Sequence, residues 1–313
     1  MFVDDRHQRL LVTGGAGFIG SNFVRYALDQ GCDVVTLDAL TYAGSKANLD
    51  GVLSDSAHEF VEGDITDQTL VSELVADVDA IVNFAAESHV DRSIQNTAPF
   101  VDTNVEGTRT LLEAARNADV DRFLQVSTDE VYGETVDGTF SETDPVQPRN
   151  PYAASKAGAD LLALSYHETY GVPVVVTRSS NNFGPRQHPE KLVPKFITNA
   201  VAGEPLPVYG DGTNVREWTF VTDNCRALAT VLDRGGVGEV YNVGSGIELS
   251  NLEMTERIIE ALDCSTDLIE FVEDRPGHDQ RYALDSSKIR ELGWEPEYTF
   301  ADGLAETIAF YTE

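Results

Sequence analysis

Apolar residues arrive in short runs, among them Leu10-Leu11-Val12, which leads through Thr13 into Gly14, and Ala80-Ile81-Val82, which leads into Asn83. Such runs, bounded by turn residues, read as strands over Arg9–Thr13, 33–37, 58–61, 80–84, 122–127 and 174–178. Between them, 18–30, 69–76, 104–118 and Pro151–Tyr170 read as helices. Gly31 ends the first, and Gly171 with Pro173 ends the last, which has Asn150 as cap and Pro151 at its first position. Strand and helix alternating in this way predict an α/β fold with a Rossmann-type, doubly wound parallel sheet.

Beyond Ser179 the alternation fades. Glycine and proline cluster at 184–185, 203–207 and 210–212, which predicts a smaller, loop-rich α/β domain. The expected division is 1–178 for the large domain and 179–313 for the small one, with segments near 215–245 returning to the large domain. The strand Val240–Val243 is the clearest of these. A chain of 313 residues is long enough for that arrangement.

Charge changes the picture of partners. The chain carries 53 acidic and 22 basic residues, a formal charge of -31, so nucleic acid and anionic membrane surfaces are repelled. Acid spread along the whole chain, with little lysine, resembles proteins of salt-loving organisms. Cys32, Cys225 and Cys264 are odd in number and far apart, and the six histidines show no ligand spacing. Neither a disulfide framework nor a metal is expected, and a reducing cytoplasm is the simplest compartment. No apolar run is long enough to cross a bilayer, and the first nine residues are polar and charged.

The turn Thr13-Gly14-Gly15-Ala16-Gly17-Phe18-Ile19-Gly20 joins a strand to a helix. Glycines there let backbone approach a pyrophosphate that faces the helix N-terminus. Asp38 ends the next strand, 24 residues after Gly14, where its carboxylate would accept the adenosine ribose hydroxyls and repel a 2′-phosphate. NAD is therefore the expected cofactor. Asp64 and Ile65 follow the third strand near the adenine, or Asp64 serves only as a turn residue. Ala85 and Ala86 offer small side chains beside the dinucleotide.

Tyr152 and Lys156 lie four apart on one helical face. A phenol of pKa near ~10 needs roughly 4 kcal/mol of help to act as a base near neutrality. One positive charge at ~4 Å, at an effective dielectric of ~20, supplies about that, so Lys156, aided by the positive nicotinamide, can do the job less whatever desolvation removes.

Together, the glycine turn, Tyr152 with Lys156, and the strand end at Ser127-Thr128 resemble the extended short-chain dehydrogenase/reductase family over nearly the whole chain. Thr128-Asp129-Glu130 narrows the resemblance to the nucleotide-sugar 4,6-dehydratases, especially those acting on dTDP-glucose. Ala86-Glu-Ser-His-Val-Asp-Arg-Ser93, Ser180-Asn-Asn-Phe-Gly-Pro185 and Pro189-Glu-Lys-Leu192 carry the same resemblance. It implies that Thr128 bonds the hydroxyl being oxidised, that Asp129 is the acid and Glu130 the base of a dehydration, and that Asp129 is protonated near neutrality. It also implies substrate contacts from Ser88, Asn181, Glu190, Lys191, Leu192, Arg216, Asn251, Arg275 and His278. Arginine suits a diphosphate because its guanidinium binds two oxygens at once.

Plant enzymes acting on UDP-glucose share the Thr-Asp-Glu and Pro-Glu-Lys-Leu motifs, whereas Glu217-Trp218 and Gly277-His278 are similar to the dTDP type. A UDP-glucose 4,6-dehydratase, a UDP-hexose 4-epimerase and a non-catalytic NAD-sensing regulator are the rival readings. The resemblance further implies a homodimer through helices at 104–118 and Pro151–Tyr170.

Overall fold

The computed structural model describes residues 9–274 and 278–312. In chain order its strands are β1 (Arg9–Thr13), β2 (Asp33–Asp38), β3 (His58–Glu62), β4 (Ala80–Asn83), β5 (Arg122–Thr128), β6 (Val174–Ser179), β7 (Asn181–Phe183), β8 (Leu206–Tyr209), β9 (Val215–Phe220), β10 (Val240–Val243), β11 (Glu248–Ser250) and β12 (Ile269–Val272). Seven of them form one parallel sheet in the order β10-β6-β5-β4-β1-β2-β3. The chain moves outward from β1 to β3 and then crosses back to β4 on the other side of β1. That reversal opens a crevice at the carboxyl ends of β1 and β4, the usual ligand position in such sheets.

Side chains alternate across a strand, so one sequence run feeds both faces. Leu10, Val12, Val34, Val82, Leu124 and Val175 pack on one face with helices α1 (Phe18–Asp29) and Val221–Arg234. Leu11, Val35, Ile81, Phe123, Val174 and Val176 pack on the other, against Gln68–Val75, Thr108–Ala118 and Pro151–Tyr170. Each such aliphatic side chain, fully buried, contributes roughly 1.5–3 kcal/mol. The first core continues without a break into the smaller lobe through Phe183, Trp218, Phe220, Met254 and Ile258. The walls of the cleft between the lobes are thereby fixed relative to each other.

The helices between α1 and that lobe are α2 (Gln68–Val75), α3 (Val90–Gln95), α4 (Ala98–Phe100), α5 (Thr108–Ala118), α6 (Pro151–Tyr170), α7 (Leu192–Ala202), α8 (Val221–Arg234) and α9 (Asn251–Leu262). One helix departs from expectation. Instead of an α-helix over 104–118, a π-helical turn at Val101–Gly107 precedes α5. Inside it the buried Asn104 side chain bonds both backbone groups of Glu87 and donates to the Ser155 hydroxyl on α6, at 2.8–3.0 Å.

The stretch near 215–245 is also more divided than expected. Here β9 pairs with β7 and β11 in the small sheet. Only α8, which packs on α1, and β10, which pairs with β6, return to the large sheet. The reason is burial: Trp218 and Phe220 of β9 pack with Phe183 in the lobe core. No helix among the described residues is long and apolar enough to cross a membrane.

Candidate active site

Two adjoining cavities occupy the crevice. The first is lined by Gly14, Gly17, Phe18, Ile19, Gly20, Asp38, Asp64, Ile65, Ala85, Ala86, Tyr152 and Lys156, so every residue expected to hold the dinucleotide meets there. Gly14 adopts φ +67°, and a Cβ on it would lie 2.6 Å from the Ala85 nitrogen. Only glycine permits β1 and β4 to close around the turn in this way. Asp38 is buried and accepts from the Ala16 and Leu40 backbone N–H groups, each at 2.8 Å. Burial pushes its carboxyl upward, and those two bonds restrain it. Asp64 lines the cavity, and one of its oxygens accepts from Thr66 N and Oγ1 at 2.8 Å, the bonding of a turn residue. The glycine turn at the N-terminus of α1, the carboxylate at the end of β2 and the small residues after β4 fit an NAD molecule. Ser88, expected to touch substrate, lines this cavity instead, because its backbone is bound to the Tyr42 hydroxyl and the Lys191 ammonium.

Where the two cavities meet, β5 delivers Thr128, followed by a 3-10 turn of Asp129–Tyr132 that Thr128 caps. The Thr128 hydroxyl donates to Asp129 Oδ1 at 3.1 Å. Asp129 is 2% exposed, and its Oδ2 has no hydrogen-bond partner. Burial first, then the charges of Glu130 and Glu217, push this carboxyl up to about 8. The expectation of a protonated Asp129 thus has its physical cause, and the sequence did not point to Glu217 as part of it. Glu217 is itself buried, held by the Gly246 and Leu284 N–H groups at 2.7 and 3.1 Å. Glu130 lines the second cavity.

Tyr152 and Lys156, one turn apart on α6, both line the first cavity. The Lys156 ammonium donates to the Val126 carbonyl at 2.7 Å. Burial brings it down to about 8, against the pull of Asp160. Burial, Glu130 and Asp129 push the Tyr152 phenol well above its ordinary value, and only a bond with Thr128 works the other way. Buried in this way, the phenol needs more than Lys156 to ionise. The positive charge of an oxidised nicotinamide is what the cavity can add.

The second cavity, about 880 Å³, suits a ligand larger than a free sugar. Asn181, Glu190, Lys191, Leu192, Arg216, Asn251 and His278 all line it, while Arg275 lies outside the described residues. Arg216 is 5% exposed, with its guanidinium over the Tyr282 ring at 4.5 Å and bound to the Asp279 carbonyl at 2.9 Å. A preset arginine of this kind is the local answer to the repulsive net charge. Glu190 takes an ion pair from Arg92 at 2.9 Å, and Arg92 also lies over Tyr42 at 4.1 Å. Sequence reading gave no role to Arg92 or Tyr282, nor to Pro207, Val208, Tyr209 and Val272, which with Trp218 give one end of the cleft an apolar and aromatic lining.

Comparisons with known proteins agree on the family. A model described as GDP-mannose 4,6 dehydratase matches residues 11–307. A low-salt glycan biosynthesis protein, Agl12, of Haloferax volcanii is 68% identical over 303 residues, covering 96% of this chain and 98% of that protein. A dTDP-glucose 4,6-dehydratase of Streptomyces niveus is 53% identical, covering 97% and 93%. The crystal structure of DesIV, a dTDP-glucose 4,6-dehydratase from Streptomyces venezuelae with NAD and TYD bound, superimposes with a TM-score of 0.95 at 54% identity over 97% of each chain.

Proposed function

This chain belongs to the GDP-mannose 4,6-dehydratase family, and we propose that it is an NAD-dependent hydro-lyase converting dTDP-glucose to dTDP-4-keto-6-deoxyglucose. The observation that carries this is a buried Asp129 pushed up to about 8 next to a cleft-lining Glu130, both within electrostatic reach of Tyr152. Loss of water across C5 and C6 of a hexose needs that pairing of one acid and one base.

When bound, NAD takes the hydride from C4 and returns it to C6, so the reaction is redox-neutral. Tyr152, helped by the Thr128 hydroxyl, removes the proton of the C4 hydroxyl. The resulting 4-keto group acidifies C5, and Glu130 takes that proton. Asp129, protonated, gives its proton to the C6 hydroxyl as it leaves as water, and once C6 has received the hydride C5 takes a proton back to complete the 4-keto-6-deoxy product. Arg216 and Arg275, with Asn251, hold the diphosphate, and Asn181, Glu190, Lys191, Leu192 and His278 border the rest of the substrate.

Purified protein given dTDP-glucose should yield a product lighter by one water in the mass spectrum, with UDP-glucose turned over more slowly. A product of unchanged mass would make it an epimerase. No turnover, with NAD-dependent capture of another protein, would make it a regulator.

The enzyme is further read as a homodimer formed through α5 and α6. Leu161 and Tyr170 on α6, and Val101 just before α5, are large apolar residues left exposed, which a second copy would cover. Light scattering in high salt at micromolar concentration should report twice the chain mass. A monomer there removes the dimer from the account.

A further inference from the structure

We propose that Asn150 is a positioning residue for the dehydration, its side-chain amide aiming the Glu130 carboxylate while its side-chain oxygen caps the helix that carries Tyr152 and Lys156. The inference rests on the function proposed above. Asn150 Nδ2 donates to Glu130 Oε2 at 3.0 Å, and Oδ1 accepts from the Ala153 N–H at 2.8 Å. A reversed amide would set oxygen against carboxylate and NH₂ against N–H, losing both bonds, so the network admits one orientation.

The backbone around Asn150 is also held. Pro151 restricts it to the extended conformation it shows, φ -136° and ψ 162°. Arg149, its neighbour, bridges the Glu134 and Asp279 carboxylates. The segment leading to it folds back on the turn that bears Glu130, with Gln147 N donating to the Val131 carbonyl at 2.9 Å. That fold requires Gly133, at φ +86°, where a Cβ would lie 2.6 Å from the Gln147 oxygen.

Glu130 and Tyr152 belong to different elements, yet they must address adjacent carbons of one sugar ring. Asn150 is a side chain that ties the two elements together. A neutral amide suits the task, because it orients the carboxylate without the counter-charge that would weaken it as a base. A displacement of about 1 Å in such a group can cost on the order of 100-fold in rate.

Asn150→Ser keeps an oxygen for the cap and removes the donor. Asn150→Thr likewise keeps a cap oxygen, lacks the amide and adds no charge beside Glu130. Both variants should melt near the wild type, and both should form dehydrated product roughly 10- to 100-fold more slowly. KM for dTDP-glucose should stay unchanged, and reduced-nicotinamide absorbance should build on the enzyme because the first step is spared. Product formation within twofold of wild type in a folded variant overturns the proposal. So does equal slowing of oxidation and dehydration, which would mean capping alone. Should the serine variant not fold, the threonine variant decides by the same readings. A wild-type enzyme that releases no dehydrated product instead refutes the functional reading, and the inference with it.

Discussion

Glu130→Gln enzyme mixed with dTDP-glucose should accumulate reduced nicotinamide while releasing 4-keto-6-deoxy product roughly 100- to 10,000-fold more slowly than the wild type, the range for losing a positioned base. Gln has nearly the same shape and can still accept from Asn150, so the cleft and α6 are kept. The first step does not need the lost charge. Glu130 is the largest charged contribution raising the Tyr152 phenol, so removing it eases ionisation of that phenol and oxidation at C4 should be as fast or faster. Tyr152→Phe is the contrasting case, because without the hydroxyl no reduced nicotinamide should appear. Stopped-flow absorbance together with product assay separates the two steps. Dehydration by Glu130→Gln at the wild-type rate would take the base away from Glu130.

Much of this was legible in the chain because the signals are local. β1, β10 and α6 have the bounds that apolar runs, caps and breakers imply, and the dinucleotide residues other than Tyr152 and Lys156 fall on one strand-to-helix turn and at or just beyond the ends of β2, β3 and β4. What was not legible depends on partners far along the chain. The bond from Lys156 to the Val126 carbonyl follows from how α6 sits on β5, which helical spacing does not encode. Arg216 was visible as a cation, but its support comes from Asp279 and Tyr282, more than sixty residues away. Glu217 read as a marker of nucleotide type, and its influence on Asp129 exists only because β9 crosses beside the end of β5. The π-helical turn before α5 escaped because one extra residue in a turn leaves the apolar pattern nearly unchanged.

Asp129 gives the second large effect. A carboxyl raised to about 8 is protonated at neutrality, and a step that needs its proton proceeds below that value and fails above it. The sign follows from burial and from two neighbouring carboxylates, all of which disfavour the charged form. Dehydration should therefore hold steady near neutrality and fall by about tenfold per unit above roughly pH 8. Lys156 also titrates at about 8, so the alkaline limb of the wild type mixes both groups. The oxidation step in Asp129→Asn depends on Tyr152 and Lys156 with no carboxyl at position 129 to titrate, and its pH profile gives the lysine's share. Asp129→Asn leaves no ionisable group at that buried site, so the fold should be retained, while dehydration should drop roughly 100- to 10,000-fold with C4 oxidation preserved. Any alkaline limb left in that variant then belongs to Lys156. A wild-type rate that stays level to about pH 9, or an Asp129→Asn enzyme within tenfold of the wild type, would mean that the proton reaches the C6 hydroxyl from elsewhere.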